Sequence, residues 1–359
     1  MADFDATALA FKMACPSNTL LTDNKGLPGA YVQKAPKRLN ELLTNGDSSI
    51  HPAFLVGSVE ISKLLIGKFQ GKAHNNRMYS LPGEDPTVYI NHDTMVTYCR
   101  NKGDGHHCIT ASEWGFLALL AKKNGTMPLG NNNYGKDASE TERIAIPTYK
   151  DNNGQTCRVA TGTGPLTWSD THDISGIFDL NGNVWEWIAD IRLVYGELQV
   201  IPYNNAAHPL CDMSVSSVEW KALNAQATSY ADLFITPDGS GTTSGSVKLS
   251  WATNHWQWQS VAIENAGQHD AAFAATTFSG LSDFCRRYLQ ALALGPDDEA
   301  VAADYNDDHF WANTGEAERC AFRGGDWDDG AHGGVFSLDF SDPRSSSYRN
   351  LGGRPAFYE

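Results

Sequence analysis

Residues 176–187 read Gly176-Ile-Phe-Asp-Leu-Asn-Gly-Asn-Val-Trp-Glu-Trp187, and the fold turns on them. Gly182 permits a turn with positive φ. Trp185 and Trp187, two residues apart, place a large aromatic area on one side of the strand-like segment that follows. Upstream, Thr110-Ala-Ser-Glu113 forms a capping box, and Trp114, Leu117, Leu120 and Ala121 then recur at helical spacing. Lys122-Lys123 suit the negative end of that helix, and Asn124-Gly125 stops it. A second helix is expected around Met95–Asn101, with Met95, Val96 and Cys99 on one side. The β-branched and aromatic bursts of residues 52–71 suit two strands around a turn. Downstream, Phe322-Arg-Gly-Gly-Asp-Trp327 combines a glycine pair, which lets backbones approach closely, with a tryptophan that anchors the core. The Gly162-Thr-Gly164 run lacks the strand–GxxxxGK–helix context of a phosphate loop and reads as a plain turn.

Composition narrows the functions. The chain has 359 residues, 41% of them hydrophobic, which is enough for a sizeable core. Its 33 glycines point to many turns and much irregular backbone. The formal charge of −15, with no cluster of Lys and Arg, argues against nucleic acid as a partner. The seven cysteines are widely spaced and form no CxxC pair, so they are expected to be buried free thiols. No run approaches 18 apolar residues, so no membrane insertion is expected. No apolar segment follows a basic start, which predicts a protein made in the cytoplasm without a signal peptide. Such a protein still reaches the outside when carried on a particle such as a virion or displayed at a surface.

Three segments, in order between Thr110 and Arg354, resemble the formylglycine-generating-enzyme (sulfatase-modifying factor) superfamily: TASEWGFLALLAKKNG (110–125), DLNGNVWEW (179–187), and RGGDW (323–327) followed by GGR (352–354). The resemblance implies an α+β fold of the C-type-lectin kind, rich in irregular loops. Residues 1–48 are then an N-terminal arm or support, and 49–359 the domain. Residues 191–310 form a long insertion without a domain of their own, with a helical piece around Leu281–Leu294.

The enzymes of that family carry a reactive cysteine pair inside the C-terminal frame. This chain has no cysteine after Cys320, hence no thiolate there to act as nucleophile or soft metal ligand. The related iron-dependent sulfoxide synthases use a histidine cluster, whereas here the frame holds only His332. The expectation is therefore a protein that is not an enzyme.

Within the superfamily, the tail GGDWDDGAHGGVFSLDFSDPRSSSYRNLGGRPAFY resembles the variable region of proteins diversified by diversity-generating retroelements. Gly333, Gly334, Val335, Phe336, Leu338, Pro343 and Gly352 keep the frame. Gly353 stands where Phe is usual, and Phe340 where Leu is usual. Randomising the adenines of AAC or AAT codons cannot produce Lys, Glu, Gln, Met or Trp. Those types make up 53 of the 359 residues, and none falls among the 26 from Asp328 to Gly353.

The resemblance places the variable region at about 326–353. Its ligand-binding positions would be Asp326, Asp328, Asp329, His332, Ser337, Asp339, Ser341, Asp342, Ser346, Tyr348, Arg349 and Asn350. Val335, Phe336 and Leu338 would face the core while their neighbours face out. Tyr348, Arg349 and His332 would be the energetic anchors, and the Asp-rich surface would prefer a polar, basic epitope. The partner would be a protein or cell-surface ligand, bound by a monomer or a homo-oligomer.

No cofactor is required on this reading. The superfamily often places a structural calcium ion at the 179–187 motif. The ligands would be the Asp179 and Glu186 carboxylates and the Gly182 and Val184 carbonyls, hard oxygens from a tight turn. The alternatives are a divergent enzyme of the formylglycine-generating type and a fixed structural component of a virion or surface.

Overall fold

The computed structural model describes residues 2–57, 59–142 and 145–359. Two sheets carry the fold. The larger is built around the ten-residue strand Trp185–Val194, which begins inside the opening motif. This strand pairs antiparallel with Glu197–Val200 (Ile191 opposite Val200) and with Arg319–Arg323, across an irregularity between Trp187 and Arg192. It also runs parallel to Leu351–Gly352, with Trp185 opposite Leu351. Leu338–Phe340 lies antiparallel to Arg319–Arg323 and parallel to His309–Asn313. Asp339 is thereby opposite Phe322 on one side and Trp311 on the other.

The smaller sheet has five strands in the order Asn18–Thr22, Pro28–Lys34, Leu64–Gly67, Pro355–Tyr358 and His106–Cys108. Its strand Pro355–Tyr358 pairs with both Leu64–Gly67 and His106–Cys108. Residues 18–34, within the stretch read as an N-terminal arm or support, supply two strands to the same sheet as the chain's C-terminal strand. The 191–310 stretch likewise adds strands to the larger sheet, among them Lys248–Ala252, His255–Gln259 and Gln268–Ala272.

The expected helices form. Ala111–Asn124 is capped by Thr110, whose side chain accepts from the Glu113 N–H while Glu113 reaches back to the Thr110 N–H. Gly125 closes it in the left-handed conformation. His92–Arg100 follows an Asn91 cap, and Asp283–Ala291 follows a Ser282 cap. Among residues 52–71 a 3₁₀ turn at Pro52–Phe54 is followed by three short strands, Leu55–Val56, Val59–Glu60 and Leu64–Gly67, rather than the two expected.

Trp185 and Trp187 both pack edge-on against Phe322, with ring centroids 5.2 and 5.3 Å away, as their i, i+2 spacing on one strand face requires. Trp114 is fully buried and donates its indole N–H to the Val335 carbonyl at 2.7 Å, tying the helix Ala111–Asn124 to the C-terminal frame. All seven cysteines are buried and free. No helix among the described residues is long and apolar enough to cross a membrane.

Candidate functional site

The motif that opens the sequence reading is a closed structural knot. Gly182 has φ +72°, and a Cβ there would lie 2.2 Å from the Asn131 carbonyl oxygen. Glu186 lies on the strand face opposite the two tryptophans and is buried with Arg354. The guanidinium binds both Glu186 oxygens, at 3.0 and 2.7 Å, and also donates to the carbonyls of Gly67, Phe178 and Asp179. The Gln70 amide donates to the carbonyls of Gly182 and Val184 and to Glu186. The Asp179 carboxylate accepts from the Gly162 N–H.

These contacts argue against an ion there: both Glu186 oxygens, Asp179 Oδ2 and the Gly182 and Val184 carbonyls already accept hydrogen bonds from the chain's own groups. Arg354 supplies the positive charge that Glu186 needs. Burial nevertheless raises both carboxyls, Asp179 to about 6, against the opposing pull of Arg354.

The C-terminal frame behaves as expected at Val335, Phe336 and Leu338, all buried. Gly325, at φ +80°, lets the backbone approach Gly333 so closely that a Cβ would meet its Cα at 2.6 Å. Two candidate positions are buried. Ser337 is fully buried, and its hydroxyl donates to the His332 carbonyl at 2.6 Å. Asp326 is 1% exposed, accepts from the Asp328 N–H and the Asn350 side chain, and offers no surface. Both lie where the chain turns before the strand Leu338–Phe340, so in-out alternation does not apply.

Five other candidates converge. Asp339, Asp342, Tyr348, Arg349 and Asn350, with Leu351, line a depression of about 530 Å³. Trp185 and Phe322 of the central sheet also line it, and so does Tyr89. Tyr89 is 67% exposed with φ +55°, and its N–H donates to the Tyr348 carbonyl at 2.9 Å. Its inclusion had no local sequence signal. Trp185 and Phe322 read only as scaffold, because their positions alone do not tell a buried face from a cavity floor.

The rim is held from below. Arg344 binds Glu318 through two nitrogens, at 2.7 and 2.9 Å, and Asp93 at 2.8 Å, anchoring the loop that carries Ser346 and Tyr348. Asp342 accepts hydrogen bonds from the hydroxyls of Ser346 and Tyr348, at 2.7 and 2.8 Å. The Asp339 carboxyl accepts from the Ser341 N–H. Desolvation, reinforced by Asp342, pushes it up to about 8 despite that hydrogen bond. Arg349 lies over the Trp327 ring, 5.7 Å from its centroid.

The remaining candidates do not line the depression, although Asp326 and Ser346 hydrogen-bond to residues that do. Asp326, Asp328 and Asp329 bring their carboxylates within 4.8 Å of one another, and burial together with this crowding raises Asp326 strongly and Asp329 to about 7. His332 is not the lone histidine the sequence implied: the His309 ring stacks on it with centroids 3.7 Å apart.

Burial pushes the thiols of Cys211, Cys285 and Cys320 up to about 12. Cys108 is raised further through its contact with Cys99.

Comparison with known proteins agrees with the sequence motifs. No curated protein sequence matches the chain. PvdO from Pseudomonas aeruginosa is similar in structure at 11% identity and a TM-score of 0.38, covering 95% of this chain and 98% of that one. The Treponema denticola variable protein 1 is similar at 12% identity and a TM-score of 0.35, covering 96% and 100%. The Major Tropism Determinant P3c variant is similar at 9% identity and a TM-score of 0.31, covering 95% and 71%. Residues 46–230, more than half of the chain, match the family described as the sulfatase-modifying factor enzyme 1-like domain, and the chain belongs to that family.

Proposed function

We propose that this chain is a non-enzymatic recognition protein whose C-terminal surface, diversified by a retroelement, binds a protein or cell-surface ligand at the depression beneath Tyr348. One observation carries the reading. Five of the positions assigned to the variable set, Asp339, Asp342, Tyr348, Arg349 and Asn350, share one cavity with the frame residues Trp185 and Phe322. A rigid aromatic floor with a changeable polar rim is how binding loops are built on scaffolds.

The chemistry of this copy favours a cationic group on the ligand. The Asp342 carboxylate beside the Tyr89 and Tyr348 rings suits an ammonium or guanidinium, by charge and by cation–π attraction, and the Asp339 carboxyl adds a hydrogen-bonding group. The net charge of −15 supports a basic epitope. The buried, raised thiols support a role without acyl or thiol chemistry, although the family includes enzymes. Carriage on a virion or display at a surface is the setting in which such a ligand is met.

The test is a library randomised at Asp342, Ser346, Tyr348, Arg349 and Asn350 and selected against a set of unrelated protein targets. The reading expects most members to keep the parent's melting temperature within a few degrees and binders to emerge. Val335→Asp or Phe336→Asp, in the frame, would abolish folding. If library members lose the fold as often as the frame variants do, or fold and yield no binders, the proposal is wrong.

A further inference from the structure

We infer that Asp307, His309 and His332 form a surface site for a divalent first-row transition metal, clamping the C-terminal frame to the strand beside it. One ligand atom from each of these residues lies within 4.8 Å of the other two. The residues come from two separate parts of the chain. His309 opens the strand His309–Asn313, whereas His332 ends the short turn Gly330–His332. His332 Nε2 is 3.4 Å from the Asp307 carboxylate. The two imidazoles are nearly parallel, 8° apart in plane and 3.7 Å apart in centroid.

One further observation distinguishes this cluster from ordinary surface polarity: Asp270 sits 3.3 Å from His309 Nδ1. A carboxylate on one ring nitrogen fixes the tautomer and leaves Nε2 as an oriented, more basic ligand, the usual outer shell of a metal-bound histidine. Asp270 is held there by pairing of its strand, with Asp270 opposite Trp311 and Ala272 opposite His309.

Two imidazoles and one carboxylate are borderline-to-hard donors. They suit Zn²⁺, Co²⁺ or Ni²⁺ better than Ca²⁺, and three protein ligands leave a coordination position open to water or to a donor group on a partner. The side chains of Asp307 and His332 are partly exposed, 59% and 45%; because an imidazole lone pair lies in its ring plane, binding one ion requires His332 to turn out of the stack. The ion would tie His332, on the face assigned to recognition, to the larger sheet. It would stabilise the folded chain by mass action.

The experiment is calorimetric titration of the untagged full chain with Zn²⁺, repeated on His309→Ala, His332→Ala and Asp270→Asn, with exposed His74→Ala as a control. The expected result is one site per chain, weakened at least about tenfold in either ligand variant and about tenfold in Asp270→Asn, and unchanged in His74→Ala. Co²⁺ loading should give a visible spectrum without thiolate charge-transfer bands, and Zn²⁺ should raise the melting temperature of the parent but not of His332→Ala. Equal affinity in parent and His332→Ala, the absence of binding, or a thiolate band would each overturn the inference. Circular dichroism of each variant separates lost binding from lost fold.

Discussion

Arg354→Met is the most informative perturbation of the scaffold. The Arg354 guanidinium is fully buried, holds both Glu186 oxygens and serves three backbone carbonyls, those of Gly67, Phe178 and Asp179. Methionine fills a similar volume but supplies no charge and no donor. It strands a carboxylate in an apolar interior, where only Gln70 still donates to it. Breaking a buried pair on one side costs about 3–5 kcal/mol, most of it from the uncompensated charge. Glu186 can limit the cost by taking up a proton. Its carboxyl is already raised by burial, and loss of Arg354 raises it further. The destabilisation should therefore shrink as pH falls. Glu186→Gln, added to Arg354→Met, should recover much of the loss, because it removes the orphaned charge. Equilibrium urea unfolding of the three variants, with the slope checked for constancy, reads these values directly. A loss below about 1 kcal/mol, or a double variant no more stable than the single, would refute the claim that this ion pair takes the place of a cation.

Three further outcomes follow from the same geometry. Gly182→Ala forces a Cβ to within 2.2 Å of the Asn131 carbonyl at φ +72° and should cost about 1–3 kcal/mol in urea unfolding. Gly353→Phe, which restores the usual frame residue, should destabilise by a similar amount. Met95 occupies that space, with its Cε 2.7 Å from the added Cβ, and Met95→Ala should partly rescue the variant. Stability should fall as pH rises from about 6.5 to 8, because Asp190 and Asp308, both raised to about 8 by burial, keep protons in the folded state that the unfolded chain has released. His51, lowered to about 4, works in the opposite direction only below its ordinary value of 6.5. Asp190→Asn keeps the acceptor for the Ala111 N–H and should make the slope shallower, by up to about 1.4 kcal/mol per pH unit.

Sequence was most legible where the physics is local. The capping box at Thr110 and Glu113, the left-handed stop at Gly125 and the i, i+2 tryptophans are each decided within a few residues, and each forms as read. Long-range pairing was not legible. Oxygen ligands on a tight turn look the same whether they receive an ion or a guanidinium, and Arg354 lies 168 residues beyond Glu186. His332 seemed alone because its partner is on a neighbouring strand. Ser337 and Asp326, placed in the variable set by resemblance alone, are buried, because the turn at Gly330–His332 between them folds the chain inward in a way no local pattern reports. Tyr89 entered the site only through backbone pairing with Tyr348.

The most direct test of the central claim is to sequence, across the source population, the 3′ end of this gene with its flanking DNA. The account predicts a nearby near-copy of the segment encoding Asp326 to Gly353. That copy would carry adenines where the gene differs, and variation among isolates would be concentrated at Asp339, Asp342, Tyr348, Arg349 and Asn350. No template, together with uniform codons at those positions, would contradict it and leave the depression a fixed surface.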